Sequence, residues 1–359
     1  MEKELENKIK QIKPVDRQLE RQAKAVFDAV FKPIDGLGRL EDILCRIAAI
    51  LGSCQILLEK RAVFVFCSDN GIVQEHISQS PSEITRVVAA NMAAGKASIN
   101  RMAACCHTKV VPVDIGMQKP VEGCLDYRVT NGTKNFAKEP AMEREEVIKA
   151  ILTGIELVFQ YKQKGYKLFG TGEMGIGNTT TTSALSSLLL KLSPQEVTGR
   201  GAGLSDIGLA KKYKVIEEAL VFHFGADYNK QEYSVISMLE KVGGLDIAGL
   251  TGVFLGGALY QVPIIIDGVI SACAAVLAAR ICPIAKQYML ASHLGKEPAH
   301  EYLLEELGLT PIIHGDLALG EGTGAVLLIP MLDMALSVYY NQETFVKNHI
   351  EAYKRQKGD

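Results

Sequence analysis

The sequence predicts an α/β fold, a mostly parallel sheet covered by helices on both faces. Three observations carry this. Short apolar runs of strand length recur at 62–66, 109–113, 166–169 and 262–266. Each closes in a glycine or acidic turn: Ser68-Asp69-Asn70-Gly71, Asp114-Ile115-Gly116, Gly170-Thr171-Gly172 and Asp267-Gly268. Helical spacing follows. Continuous apolar strands alternating with helices are what a parallel sheet, buried on both faces, requires.

In chain order, residues 1–31 read as charged helical segments, and a loop at 33–38 leads to a helix from Arg39 to about Leu51. After the first strand, Ser80, Pro81 and Glu83 form a helix start, with Ser as N-cap, Pro at N1 and Glu at N3. That helix is expected to run to about Ala104. The second strand follows, then a helix over 144–162 and the third strand. Leu185, Leu188, Leu189 and Leu192 recur at helical spacing after the glycine loop. A second glycine loop, 199–206, precedes a helix with Lys211, Lys212 and Lys214. Residues 247–266 carry no charge, but Gly249, Gly252, Gly256, Gly257 and Pro263 divide them. A buried helix followed by a buried strand is predicted there, not a membrane span. An Ala-rich helix starts near Ile270, and an apolar helix over 325–340 follows the last glycine loop. The chain ends lack strands. They are expected to form a small helical domain, 1–50 with 335–359, beside a large domain, 51–334.

The 359 residues are 48% hydrophobic with a formal net charge of -2, enough for a sizeable core. No basic stripe or aromatic-interleaved patch appears, so nucleic acid is not an expected partner. The eight cysteines include no CxxC pair and read as thiols of a reducing compartment. The N-terminus lacks an apolar signal core. A cytoplasmic protein without membrane partners is expected.

The stretch from Gly170 to Thr182 is the most suggestive. Strand, glycine loop and helix N-terminus together favour an anion. The spacing matches neither GxGxxG nor GxxxxGK[ST], and a tight turn with a Thr-rich cap competes with phosphate binding. Glu173 repels phosphate, so its presence there calls for another role. Glu321, between Gly320 and Gly322, is a second lone acid in a glycine loop. Two such glutamates at strand ends suggest general-base or electrostatic work, against a competing reading as surface-turn acids. His223, His293, His300 and His314 lack metal-ligand spacing, and no metal or cofactor is expected. No G-x-S-x-G elbow marks an α/β-hydrolase.

These motifs carry a resemblance over nearly the whole chain. Leu37-Gly38-Arg39-Leu40-Glu41, Asp69-Asn70-Gly71-Ile72, the GEMGIGNTT run from Gly172, the GRGAGLSD run from Gly199 and the GEGTGA run from Gly320 occur in order. The chain resembles the nicotinate-nucleotide:dimethylbenzimidazole phosphoribosyltransferase family. The resemblance implies a six-stranded Rossmann-like large domain, a small domain from both chain ends and a homodimer. It implies transfer of the phosphoribosyl group of nicotinate mononucleotide to a benzimidazole-type base. It makes Glu321 the base and Glu173 the second carboxylate near the ribose. Phosphate and ribose would lie against Gly175, Gly177, Asn178, Thr179, Gly203, Lys212 and Ser292. The acceptor base would meet Ser78, Arg86, Leu319 and Gly320.

The chemistry fits those roles. Removing the azole N–H proton makes the other ring nitrogen a better nucleophile. It attacks C1′ opposite the pyridinium, so β becomes α. The leaving nicotinate departs from a cationic ring nitrogen and needs no Mg²⁺. A nearby carboxylate would stabilise the oxocarbenium-like centre. Two positions depart from the family pattern. Asp35-Gly36 stands where Gly-Ser is usual, and Arg86 stands where Gln is frequent. Because Arg only donates, Arg86 is expected to alter base choice. The competing readings are a nucleotide hydrolase with Glu321 activating water, and a non-catalytic mononucleotide sensor.

Overall fold

The computed structural model describes residues 1–355. Six strands form one parallel sheet: β1 (Arg61–Ser68), β2 (Lys109–Gly116), β3 (Leu125–Asp126), β4 (Leu168–Met174), β5 (Ile264–Ile266) and β6 (Met289–Ala291). Their spatial order is β3-β2-β1-β4-β5-β6. The order reverses between β1 and β4, where Phe66 lies opposite Glu173. That crevice is where ligands of such sheets bind. A separate parallel pair joins β7 (His293–Gly295) to β8 (Ile313–Leu317).

Side chains along β1 alternate between two cores, as the two-residue period of a strand dictates. Phe64 and Phe66 face the helices Arg144–Gln163 and Leu245–Tyr260. Val63, Val65 and Cys67 face the helices Arg39–Leu51 and Thr323–Asn341. All eight residues of β1 are buried. The charge-free stretch resolves as predicted, into the buried helix Leu245–Tyr260 and the buried strand β5. Its glycines let two helices touch by backbone: a Cβ on Gly252 would lie 1.9 Å from the carbonyl oxygen of Ile151. The helix Thr323–Asn341 is long and apolar enough to cross a membrane by length and composition. In this fold its Leu328, Ile329 and Leu332 are buried in the sheet-facing core.

One helix expected as continuous is two, Glu83–Ala93 and Ser98–Ala104. Gly95 adopts φ +72 and ends the first. Asn100 starts the second: its Oδ1 accepts the Ala97 N–H at 3.1 Å and its Nδ2 donates to the carbonyl of Met92 at 3.1 Å. Helix spacing alone does not see such a break, because Ala and Met on both sides keep the pattern.

The chain ends pack together. Phe27 meets Tyr339 edge-on at 4.8 Å, Val30 bridges Thr344, and Arg355 forks onto Asp28 and Asp35. Phe27 and Tyr339 share a core with Val63 and Val65 of the sheet. The last four residues of the expected small domain lie outside the described range.

Candidate active site

A cavity of about 290 Å³ opens beyond the C-terminal ends of β4 and β5. Its floor is built where two loops touch. Gly172 in β4 leaves room for the last glycine loop, since a Cβ there would lie 2.6 Å from the Gly322 nitrogen and 2.7 Å from the Glu321 carbonyl carbon. In that loop Gly320, Glu321 and Gly322 take φ +80, +61 and +87 in succession. Glu321 is thus a non-glycine residue held in left-handed backbone, a conformation that needs outside support.

Asp267, at the end of β5, supplies that support. Its Oδ2 accepts the Gly322 N–H at 3.0 Å, and its Oδ1 accepts the N–H groups of Gly324 at 2.7 Å and Ala325 at 3.2 Å. It caps the helix Thr323–Asn341 from another part of the chain, satisfying amides that have no helical partner.

The two glutamates converge on this floor. A Cβ on Gly320 would lie 2.6 Å from Glu173 Oε1. Glu173 is 8% exposed, and burial, followed by the negative charge of Asp246, pushes its carboxyl up to about 8. Burial also raises the Glu321 carboxyl above its ordinary range. Glu321 Oε2 is buried with no hydrogen-bond partner. A buried carboxylate with a free oxygen accepts a proton more readily than an exposed one.

At the other end the walls suit an anion. The helix Asn178–Leu190 begins behind Gly177, whose φ is +95. Lys212 is 1% exposed, donates to Thr179 Oγ1 at 2.9 Å, and is pushed down to about 8 by burial. The Gly201 N–H donates to Glu297 Oε1 at 3.0 Å. His300 accepts the Gly295 N–H on Nδ1 at 2.9 Å, and burial pushes it down to about 3, so it is neutral.

Of the expected site residues, Ser78, Glu173, Gly175, Gly177, Asn178, Thr179, Lys212, Leu319, Gly320 and Glu321 all line the cavity. Three do not. Gly203 is exposed, its carbonyl accepting from Gln79 Nε2, while Gly201, Ala202 and Leu204 of its loop are on the wall. Ser292 is 1% exposed, and its hydroxyl donates to the carbonyl of Ile266 at 2.6 Å. Arg86 is exposed and off the cavity; Val88 of the same helix lines it instead. Of the four histidines, His293 and His300 line the cavity, His314 is exposed, and His223 meets the carbonyl of Phe136 at 2.7 Å.

Sequence reasoning assigned no role to Asp246 or Asp267. Thr85 Oγ1 accepts the Ile176 N–H at 3.0 Å and so holds the glycine loop. Both aspartates stood in acid-glycine turns beside strands or helices, the only local signal they gave. Among the described residues, one group of acids is close enough to share a cation: Asp28, Asp35 and Glu41. Lys24, Lys32 and Arg355 already neutralise it.

Comparisons with known proteins place the chain in a family. Residues 12–350 match the phosphoribosyltransferase family. The nicotinate-nucleotide–dimethylbenzimidazole phosphoribosyltransferase of Acetivibrio thermocellus is 43% identical over 92% of this chain and 93% of its own. The enzyme of that name from Clostridium tetani is 40% identical over 96% of this chain and 95% of its own. The crystal structure of the Thermus thermophilus enzyme superposes with a TM-score of 0.86 at 35% identity, covering 94% of this chain and all of that one. The chain belongs to the family of nicotinate-nucleotide–dimethylbenzimidazole phosphoribosyltransferases.

Proposed function

We propose that the protein transfers the phosphoribosyl group of nicotinate mononucleotide to 5,6-dimethylbenzimidazole or a related base, giving α-ribazole 5′-phosphate and nicotinate. The observation that carries this reading is the convergence of Glu173, Glu321 and buried Lys212 on one cavity. Phosphate lies at the Lys212 end, against the N-terminus of the helix Asn178–Leu190. Ribose lies over Glu173. The base enters beside Ser78, Leu319 and Gly320.

Glu321 takes the azole N–H proton. The other ring nitrogen forms its bond to C1′ as the bond to the pyridine nitrogen breaks, and that electron pair leaves with nicotinate. A carboxyl raised by burial suits this proton transfer better than an exposed one. Supporting the same reading, Asp267 fixes the Glu321 loop before substrate arrives, which preorganises the base.

The exposed apolar side chains Ile84 and Val87, on the helix Glu83–Ala93, support a homodimer that would cover them. Sedimentation velocity tests that assembly. The reaction is tested by incubating the protein with nicotinate mononucleotide and a panel of bases, then identifying products by mass and by the anomeric proton signal. An α-nucleotide with one equivalent of nicotinate is expected. Free ribose phosphate with no base incorporated contradicts the reading.

A further inference from the structure

Behind Glu173 lies a second acid that does not line the cavity. Asp246 is fully buried at the start of the helix Leu245–Tyr260. Asn178 stands between them. Its Nδ2 donates one hydrogen to Glu173 Oε2 and the other to Asp246 Oδ2, the latter at 3.0 Å. Asp246 Oδ1 accepts the Ile247 N–H at 3.0 Å. A carboxamide has only two N–H donors, so both are used and its orientation is set.

The charges around Glu173 are all of one kind. From the helix Leu245–Tyr260 it faces Asp246, from the end of β5 Asp267 and from the last glycine loop Glu321, while the Cys67 thiol of β1 is kept neutral by burial. The largest electrostatic influences on it are carboxylates, with no Lys or Arg among them. Two ionised carboxylates joined only by a neutral amide, away from water, are strongly disfavoured. Such a pair keeps one proton, as two carboxyls sharing a site do.

We propose that Asp246 is a positioning residue for the transfer: through the Asn178 carboxamide it fixes the Glu173 carboxyl, and its own negative charge keeps that carboxyl protonated although the amide N–H favours the ionised form, so that Glu173 meets the ribose as a hydrogen-bond donor. The pair's negative charge then sits on Asp246, one amide further from C1′. There it still favours an oxocarbenium-like centre without competing with the phosphate. This rests on the placement of ribose over Glu173 proposed above.

The test is the pH dependence of turnover in the full-length protein, wild type against Asp246→Asn, with kcat and KM measured separately. Wild type loses kcat at alkaline pH as Glu173 gives up its proton, which it holds to about 8. Asp246→Asn removes the like charge, so Glu173 ionises more readily and the alkaline limb moves down by about one pH unit. KM for the nucleotide changes little. Lys212 also titrates near that pH, but Asp246 is not among the charges acting on it, so the displacement reports on Glu173. An unmoved limb, with kcat falling only as the folded fraction falls, overturns the proposal. Should Asp246→Asn not fold, isotope-edited infrared spectra of wild type minus Glu173→Gln read the proton directly. A protonated carboxyl band at pH 7 is expected, and an ionised one overturns the proposal. If wild type makes no α-nucleotide at all, the functional reading fails, while the infrared outcome still decides the protonation.

Discussion

The Asp267 carboxylate accepts the Gly324 N–H at 2.7 Å, joining the end of β5 to the first turn of the helix Thr323–Asn341. With the bonds to Gly322 and Ala325, one side chain sets the backbone on either side of Thr323 and therefore the direction of Glu321. Replacing it with Asn keeps the shape and turns one acceptor into a donor facing the Gly322 N–H. Asp267→Asn is expected to lower stability by about 1–3 kcal/mol, the cost of a buried unmatched donor. It should also lower kcat more than it raises KM for the nucleotide. Thermal melts alongside steady-state kinetics check both.

Gly172→Ala tests the meeting of the two loops. The new methyl would press on the backbone at Glu321 and Gly322. Overpacking of this kind typically costs about 1–3 kcal/mol, so the variant still folds. With the base displaced by a fraction of an ångström, kcat should fall at least about tenfold, since reacting groups are sensitive to misplacement. Calorimetric titration with nicotinate mononucleotide should show nearly unchanged affinity, because the Lys212 end is untouched.

Much of the site was legible in the sequence because its chemistry is local. The strand at 166–169, the loop from Gly170 and the helix after it read in the right order, but the strand runs further: β4 extends through Gly170–Met174 and carries Glu173, leaving Gly175–Gly177 as the loop before the helix Asn178–Leu190. Both glutamates stood out because acids are rare inside glycine loops. The partners that hold them did not. Asp246 acts across 68 residues on Asn178, and Asp267 across 57 on Gly324. No periodicity or spacing encodes a hydrogen bond of that range. Two strands of the sheet were not located, for a different reason. Leu125–Asp126 is two residues long and Met289–Ala291 three, too short to show any alternation. Arg86 stood out in a motif, yet its helix turns Val88 and Thr85 inward instead.

Lys212 sets a pH dependence of binding whose sign is fixed. Burial lowers its pKa, so the charge is present below about 8 and lost above it in the free protein. Affinity for nicotinate mononucleotide should therefore fall as pH rises beyond that point. Lys212→Met should remove this dependence and weaken binding roughly 10- to 100-fold, the loss expected for one charge-assisted hydrogen bond. Titration calorimetry of both proteins between pH 6.5 and about 9.5, where Lys212 loses its charge, compares the slopes.

Single-turnover measurement of Glu321→Gln with saturating nicotinate mononucleotide and dimethylbenzimidazole bears most directly on the account. If Glu321 removes the azole proton, the rate of α-nucleotide formation falls roughly 100- to 10,000-fold, as loss of a general base does. Nucleotide affinity should change by less than about threefold, because the interaction that Gln cannot make belongs to the transition state. A Glu321→Gln protein that turns over near the wild-type rate would show that the proton leaves by another route.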